Sequence, residues 1–581
     1  MTTSDPLRCR RVFTAVLLVL GFGGILARLF FLQVLHAAEL TAKADRQHQK
    51  TVTVEGGRGT IVDRQGKILA VNMDVPSVFG IPTSLNNPAA VAHDLARVLH
   101  VRPDDIERKL KQERHFVWIA RKLDPEQGRQ LEALSLNGIG IVLEGRRFYP
   151  NGALLSHVLG FAGMDGQGLE GLERRYDPYL SGEKQFVVLQ RDALGRTVFP
   201  KGISERAPAP GHSLTLTIDE FAQYVAEKEL DDAVTAARAK GGMAIVMEPK
   251  TGAILAMALS PKFDPNAMSG MPSDRWRNRI ITDAYEPGST MKVVVAAAAL
   301  EERVMTPDSL IYGENGRMEI ARTVIHDHEK SGWMTFAEVI QKSSNIGAAK
   351  IAMQLEEARL YRYIKAFGFG EKSDIDLPGE MAGLMKEPKA WGRRSLASIA
   401  MGQEIGVTPL QLVTAISAVA NGGWLMKPYV VSEIRDAGGH LVGRIEPQVR
   451  RRPISSATAR TLTDVLEGVV TIGTGRKAAV PGYRVAGKTG TAQKIDTHTG
   501  AYSSTLLVGS FVGYVPAEDP RLAIVVVIDE PKGEAWGGVV AAPVFRRIAE
   551  QVLPHLGVSP QEPVKLALAS AVGRVFATKK G

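Results

Sequence analysis

A serine and a lysine three residues apart stand at the start of an apolar run, in the stretch Tyr285–Leu300, YEPGSTMKVVVAAAAL. The Pro-Gly pair breaks the preceding structure and the small apolar residues favour a helix, so Ser289 is predicted in its first turn. Residues i and i+3 share a helix face, which brings the Lys292 amine towards the Ser289 hydroxyl. Serine needs a base to become a nucleophile, and a lysine can serve when burial lowers its pKa. We therefore predict that Ser289 is a nucleophile and that Lys292 activates it.

A second motif could supply a proton relay. The stretch QKSSNIGAAK contains Ser343 and Asn345 in an S-x-N arrangement. Its hydroxyl can pass a proton between neighbouring groups, and its amide can hold a peptide group of a substrate. S-x-N alone is a weak signal, because it also occurs at Ser84–Asn86 in a region without other candidate residues.

A third motif, GKTGTAQ, follows the strand-like YRVA and contains Lys488, Thr489, Gly490 and Thr491. A lysine and a hydroxyl at the edge of a strand can bind a carboxylate. We expect Gly490 to leave room for a substrate to lie against this strand. The full stretch GKTGTAQ occurs once in the chain.

The order of the three motifs along the chain is stronger evidence for a catalytic site than any single motif. A second S-x-x-K occurs at Ser181–Lys184, and the ordinary explanation of an isolated match is a capping serine with a surface lysine. S-x-x-K, S-x-N and K-T-G in that order, each in a suitable local setting, predict an acyl-transferring serine site.

The elements that must position these motifs lie between residues 211 and 557. HSLTLTIDE and the two halves of GGMAIVMEPKTGAILAMALSP are predicted strands, and helical patterns occupy 290–420. Three more strands are predicted near the end, followed by the amphipathic helix APVFRRIAEQVL. Strands at both ends with helices between them predict an α+β domain, an antiparallel sheet flanked by helices.

The N-terminus predicts a membrane anchor. Arg8, Arg10 and Arg11 precede an apolar stretch from Val12 to about Leu35, long enough to span a bilayer and without an A-x-A cleavage site directly after it. The cationic cluster is expected to stay in the cytoplasm. A twin-arginine export signal is the alternative explanation of these arginines.

The bulk composition excludes several classes of function. The chain has 581 residues, a net charge of +9 and one cysteine, Cys9, so an intrachain disulfide and a cysteine metal cluster are impossible. The charge forms no Lys/Arg block, which argues against nucleic acid as a partner. The HDHE stretch, His326–Glu329, suggests a metal site only superficially, because no third cluster supports it, and we interpret it as a loop near the active site. We expect no metal and no organic cofactor.

The motifs resemble those of penicillin-binding proteins and serine β-lactamases. RNRIITDAYEPGSTMK, QKSSNIGAAK, VTPLQL and GYRVAGKTGTAQK are similar to class B penicillin-binding proteins, above all to the division-specific members. GGRGTIVDRQGKILA, RRFYPNG and GLEGLERRYDPYLSG resemble the N-terminal motifs of that family. The resemblance runs from about residue 10 to 557. It implies an elongated mixed α/β pedestal followed by a serine β-lactamase-like transpeptidase domain.

Five segments are predicted on this basis. They are a cytoplasmic stub (1–11), a transmembrane signal anchor (12–35), a pedestal or dimerisation-type domain (36–210), a penicillin-binding transpeptidase domain (211–557) and a C-terminal tail (558–581).

The resemblance implies D,D-transpeptidation of peptidoglycan stem peptides and trapping of the nucleophile by β-lactams. Ser289 would attack the penultimate D-Ala carbonyl, Lys292 would act as base, and backbone N–H groups of Ser289 and Thr491 would form the oxyanion hole. The resemblance assigns proton transfer and donor positioning to Ser343, Lys488 and Asn345, and carboxylate or substrate binding to Thr489, Gly490 and Thr491.

Several alternatives stay open from sequence. A D,D-carboxypeptidase or a β-lactamase shares the three motifs, and a penicillin-binding scaffold or sensor would not be an enzyme. Elongation-type relatives usually carry aspartate at the position of Asn345, which favours a septal role here, as do the chain's size and its lack of an added C-terminal module. The expected partners are a membrane polymerase of the FtsW (SEDS) type and other divisome proteins. The expected location is the bacterial inner membrane, single-pass, with a periplasmic catalytic domain.

Overall fold

The computed structural model describes residues 6–40, 49–112, 116–191, 197–198, 208–321, 323–496 and 499–561. Two compact units divide the chain: Met1–Gly57 with Gly182–Pro210, and Arg58–Ser181 with Gly211–Gly581.

The described strands, in chain order, are β1 Gln49–Glu55, β2 Ile61–Val62, β3 Ile68–Gly80, β4 Val117–Ala120, β5 Ile139–Phe148, β6 Lys184–Arg191, β7 Thr197–Val198, β8 Ser213–Leu216, β9 Gly241–Met247, β10 Ile254–Ser260, β11 Leu310–Tyr312, β12 Arg317–Ile320, β13 Thr323–His326, β14 Trp333–Thr335, β15 Leu425–Met426, β16 Val431–Arg435, β17 Leu441–Arg444, β18 Val449–Arg451, β19 Ala486–Ile495, β20 Tyr502–Val515 and β21 Leu522–Asp529.

The described α-helices are α1 Pro6–Phe30, α2 Pro88–Leu99, α3 Pro103–Leu110, α4 Pro125–Ala133, α5 Ser156–Leu159, α6 Gly171–Arg175, α7 Asp177–Leu180, α8 Glu220–Ala236, α9 Arg279–Thr282, α10 Lys292–Glu301, α11 Phe336–Gln341, α12 Asn345–Ala366, α13 Ser395–Ala400, α14 Pro409–Ala420, α15 Ser456–Thr471, α16 Gly537–Val540 and α17 Ala542–His555.

The smaller unit contains the N-terminal helix and a three-stranded antiparallel sheet. Helix α1 continues into a short π-helical stretch, and the apolar segment Arg10–Leu35 is 26 residues long with a mean hydropathy of 2.3 and no buried part. By length and composition it can cross a membrane as a single-pass anchor. The sheet has the order β1-β6-β7, and all of its pairs are antiparallel.

A five-stranded antiparallel sheet organises the larger unit, in the order β10-β9-β21-β20-β19. Both of its faces are covered: Ile524 and Val526 belong to one apolar cluster with residues of α8 and α17, and Val525 and Val527 belong to another with residues of α10 and α14. Successive side chains of a strand point to opposite faces, so the apolar run LAIVVVID serves two cores. The predicted antiparallel sheet flanked by helices is confirmed, with β19 as its edge strand.

A seven-stranded sheet contains strands from both sides of the predicted 210/211 boundary. Its order is β17-β16-β8-β2-β3-β4, with β5 paired to β3, and β2 runs parallel to β8 with Ile61 opposite Leu214. The predicted pedestal and transpeptidase domains thus share one sheet. The five predicted segment boundaries remain a proposal.

A buried ion network joins the three N-terminal motifs. Arg58 of the first motif contacts the Glu173 carboxylate at 2.5 Å and Asp177 at 2.6 Å, both from the third motif. Arg147 of the second motif contacts the other Glu173 oxygen at 2.6 Å, and the Tyr149 hydroxyl donates to it at 3.3 Å. Glu173 is fully buried. Because a buried charge must be paired, these distant motifs fold as one structural cluster.

We expect Glu173→Ala to destabilise the larger unit by about 3–5 kcal/mol, because it removes the carboxylate partner of the buried Arg147 and leaves the buried Arg58 with Asp177 alone. The matched control is Glu170→Ala, which removes a partly exposed carboxylate 3.8 Å from Arg174 and is expected to cost less than about 1 kcal/mol. Denaturant unfolding of the full chain compares them. Similar midpoints for the two variants would contradict the structural role of the network.

Candidate active site

Ser289 lies in a tight turn that leads directly into α10. The turn Gly288–Met291 is 3-10 helical and merges with the α-helix, which confirms the predicted position of Ser289 at a helix start. Gly288 has φ +55° and its N–H donates to the Gly402 carbonyl at 3.1 Å. A Cβ at Gly288 would lie 2.6 Å from the Thr491 carbonyl oxygen. Glycine adopts this conformation without strain, and its missing side chain allows this close approach of the K-T-G strand.

Lys292 is fully buried on a helix that is apolar on every side. Its amine donates to the Ser343 carbonyl at 2.6 Å and to Asn345 Oδ1 at 2.8 Å, and it lies 3.3 Å from Ser343 Oγ. Among the described residues the Lys292 amine donates no hydrogen bond to Ser289, and the Ser289 hydroxyl has no hydrogen-bond partner. The S-x-N turn (Ser343–Asn345) offers two oxygens that hold the amine instead.

Lys488 approaches the same hydroxyl from the sheet. It is fully buried on β19, and its amine lies 2.9 Å from Ser343 Oγ and 3.1 Å from the Thr489 carbonyl. The Ser343 hydroxyl therefore stands between the amines of Lys292 and Lys488. Ser343 adopts φ +62°, a strained conformation for a residue with a side chain.

Burial controls the charge of both lysines. Removal from water lowers the pKa of Lys292 to about 7, although the Asp327 carboxylate acts in the opposite direction. Burial, assisted by the charge of Lys292, lowers the pKa of Lys488 well below its usual range. Two ammonium groups around one hydroxyl in a desolvated site repel each other. At neutral pH the pair therefore contains at least one neutral amine that can accept a proton.

Asp327 is a positioning residue that the sequence analysis did not identify. Its carboxylate accepts from the Ser344 hydroxyl and the Asn345 N–H, both at 2.5 Å, and from the Ile346 N–H at 3.1 Å. It thus caps the N-terminus of α12, where negative charge is favourable. The Asn345 side-chain amide donates to the His326 carbonyl at 3.0 Å. These bonds fix the S-x-N turn.

The segment His326–Glu329 therefore lies beside the S-x-N turn. This agrees with its interpretation from sequence as a loop near the active site. Its third member, His328, packs against Trp536 with ring centroids 4.2 Å apart. Sequence inspection could not assign Asp327 its role, because the groups it binds follow 17 to 19 residues later and no short motif contains both.

Close packing explains why residue 490 is glycine, whereas the sequence suggested room for a substrate. A Cβ there would lie 2.4 Å from Ser510 Oγ and 2.8 Å from Thr290 Cγ2. The missing side chain therefore lets β19 pack against the turn that carries the nucleophile candidate, and it does not open space for a substrate.

The two threonines of the K-T-G strand lie on one face, since they are two residues apart. The Thr489 and Thr474 hydroxyl oxygens are 2.7 Å apart. The Thr491 hydroxyl accepts from the Gly537 N–H at 3.2 Å. All eight predicted site residues thus belong to the S-x-x-K turn, the S-x-N turn and the K-T-G strand, which the fold brings together.

The two sequence decoys lie elsewhere. The Ser181 hydroxyl is 3.3 Å from both Asp177 and Arg58, in the buried ion network. Ser84 is exposed at the end of a 3-10 turn between β3 and α2.

Comparisons with known proteins agree with this geometry. The family model "Penicillin binding protein transpeptidase domain" matches residues 242–550, and "Penicillin-binding Protein dimerisation domain" matches residues 53–216. Stage V sporulation protein D of Bacillus subtilis (strain 168) is 38% identical over 563 residues, covering 96% of this chain and 87% of the relative. Peptidoglycan D,D-transpeptidase FtsI of Escherichia coli (strain K12) is 33% identical over 559 residues, covering 94% and 91%.

Among solved structures, penicillin-binding protein 3 of Mycobacterium tuberculosis in complex with aztreonam aligns with a TM-score of 0.70 at 27% identity, covering 88% of this chain and 99% of that one. The transpeptidase match alone spans more than half of the chain. The sheet with its edge-strand K-T-G motif, the matched domains and the relatives together show that this chain belongs to the class B penicillin-binding proteins, a family of peptidoglycan D,D-transpeptidases.

Proposed function

We propose that this chain cross-links stem peptides of the septal cell wall through an acyl-enzyme at Ser289. The observation that carries the proposal is the Ser343 hydroxyl between two buried lysine amines, close to a turn that presents an unbonded serine hydroxyl. Such a group of residues can take a proton from a nucleophile and return it to a leaving amine.

In the acylation step, Ser289 Oγ forms a bond to the penultimate D-Ala carbonyl carbon and its proton passes to Lys292. A neutral Lys292 amine donates its two N–H groups to the Ser343 carbonyl and to Asn345 Oδ1. Its lone pair can then accept the proton from Ser289. The carbon–nitrogen bond to the terminal D-Ala then breaks. Its nitrogen takes a proton through the Ser343 hydroxyl, which the newly protonated Lys292 resupplies from 3.3 Å, while Lys488 holds that hydroxyl in place.

Two backbone N–H groups are suited to the oxyanion. The Thr491 carbonyl points to the Gly288 side of β19, and in a strand the N–H and C=O of one residue point to the same side. The Thr491 N–H therefore faces the turn with Ser289, away from β20. The Ser289 N–H belongs to the first turn of a helix, where N–H groups lack intrahelical acceptors. Both are placed to stabilise the negative charge of the tetrahedral intermediate.

The second step transfers the acyl group to an amine of a neighbouring strand. The amine attacks the ester carbonyl, loses a proton to the same lysine–serine group and releases the Ser289 hydroxyl. A D,D-carboxypeptidase would use water at this step. We assign donor positioning to Asn345 and carboxylate binding to Thr489 and Thr491.

Septal synthesis is the cell-level role that we propose, with an FtsW-type polymerase and divisome proteins as partners. The similarity to FtsI of Escherichia coli and Asn345 in the S-x-N motif support it. A sporulation role is the second candidate, because the 38% identity to Stage V sporulation protein D is higher than the 33% identity to FtsI. We further propose that Arg8, Arg10 and Arg11 keep the N-terminus in the cytoplasm, which places the catalytic domain outside the inner membrane.

Labelling with a fluorescent penicillin tests the nucleophile. We expect covalent label on the wild type and acylation at least about 10³-fold slower in Ser289→Ala, because the attacking oxygen is gone. Ser181→Ala is the matched control, since it belongs to the other S-x-x-K and lies in the ion network. Label that persists on Ser289→Ala would contradict the assignment.

Depletion in growing cells tests the septal role. We expect filaments that elongate without septa, rescued by the wild-type chain and not by Ser289→Ala. Depletion that blocks elongation but leaves septation intact would contradict the septal role. Normal growth with a defect confined to spores would favour the sporulation candidate.

A further inference from the structure

An exposed threonine outside the three motifs contacts the K-T-G strand through its hydroxyl. Thr474 follows α15, and its Oγ1 lies 2.7 Å from Thr489 Oγ1. Its backbone N–H donates to the Gln341 carbonyl at 3.3 Å, just ahead of the S-x-N turn. Its carbonyl is so close to Gly538 that a Cβ there would lie 2.5 Å from the oxygen. Thr474 is therefore held by contacts with both the helix that precedes the S-x-N turn and α16.

The number of hydrogen bonds that the Thr489 hydroxyl can form bears on which hydroxyl donates in the Thr474–Thr489 contact. A hydroxyl has one proton and two lone pairs. Two groups can donate to Thr489 Oγ1, the Thr474 hydroxyl at 2.7 Å and the Lys488 amine at 3.4 Å. When both donate, the lone pairs of Thr489 are occupied and its proton must go to a third group.

Thr491 also has a proton to donate. Its oxygen accepts from the Gly537 N–H at 3.2 Å, and within the described part of the chain no acceptor takes its hydroxyl proton. Thr489 and Thr491 point to the same side of β19. Two hydroxyl protons side by side match the two oxygens of a carboxylate, and hydrogen bonds to a charged acceptor are the stronger kind.

We propose that Thr474 is a positioning residue for substrate binding: its hydroxyl donates to Thr489 and thereby turns the Thr489 proton towards the terminal carboxylate of the donor peptide. This inference rests on the proposed transpeptidase function and deepens it. Thr474 acts through Thr489, so it contributes to binding of the carboxylate and not to the proton transfers at Ser289.

Acylation kinetics of the full chain in detergent test the inference with two probes, benzylpenicillin and its methyl ester, which lacks the anionic carboxylate. For Thr474→Val we expect an about tenfold higher dissociation constant of the non-covalent benzylpenicillin complex, the effect of weakening one charged hydrogen bond. The acylation rate constant stays within about twofold of wild type, and the ester reacts with wild type and variant alike. Thr474→Ser, which keeps the hydroxyl, restores wild-type binding of benzylpenicillin.

The matched control is Thr471→Val, three residues earlier. Thr471 is exposed too, and its hydroxyl donates to Glu467 of its own helix, so this variant should behave as wild type with both probes. Unchanged benzylpenicillin binding in Thr474→Val would overturn the inference, and so would an equal loss with both probes, which marks a merely structural role. In either case the proposed function still holds if the wild-type chain is covalently labelled by the fluorescent penicillin. An unlabelled wild type would instead overturn the proposed function and this inference with it.

Discussion

The burial of two lysine amines around one serine hydroxyl is the constraint on which the site depends. Moving an ammonium group out of water costs several kcal/mol even in a relaxed protein, so Lys292 and Lys488 are stable there because at least one of them is neutral and both are hydrogen-bonded. A neutral amine in a dry site is a base that works at neutral pH. The same burial that shapes the core of the larger unit thus provides the chemistry.

The other features of the site bring the two lysine amines and the Ser343 hydroxyl together. Helix α10 is buried on all sides, so its first residue can carry the amine into the core. The S-x-N turn reaches the amines only in a strained conformation at Ser343, which Asp327 stabilises by capping the following helix. Glycines at 288 and 490 allow the nucleophile turn and β19 to approach each other. The helices of two cores hold the sheet, and the buried network around Glu173 holds the distant N-terminal motifs together.

Much of this was predictable, because short motifs and apolar periodicity are local signals. The N-terminal apolar helix, the antiparallel sheet with its flanking helices and the position of Ser289 at a helix start all follow from such signals. Interactions between distant segments were not predictable. Asp327 and Thr474 act on residues 15 to 19 positions away through folded contacts, and the partner of the Lys292 amine depends on where the S-x-N turn lies. Gly490 was correctly marked as special, but its reason is packing against Thr290, which a linear sequence does not show.

The pH dependence of acylation tests most directly whether Lys292 is neutral near physiological pH. The measurement is the second-order rate constant for benzylpenicillin on the full chain from pH 5 to 9. Since burial lowers the pKa of Lys292 to about 7, the base is protonated below that pH and free above it. The rate should therefore rise with pH, reach half its plateau near pH 7 and level off by about pH 8. A rate that is flat over this range, or that is still rising at pH 9, would contradict it.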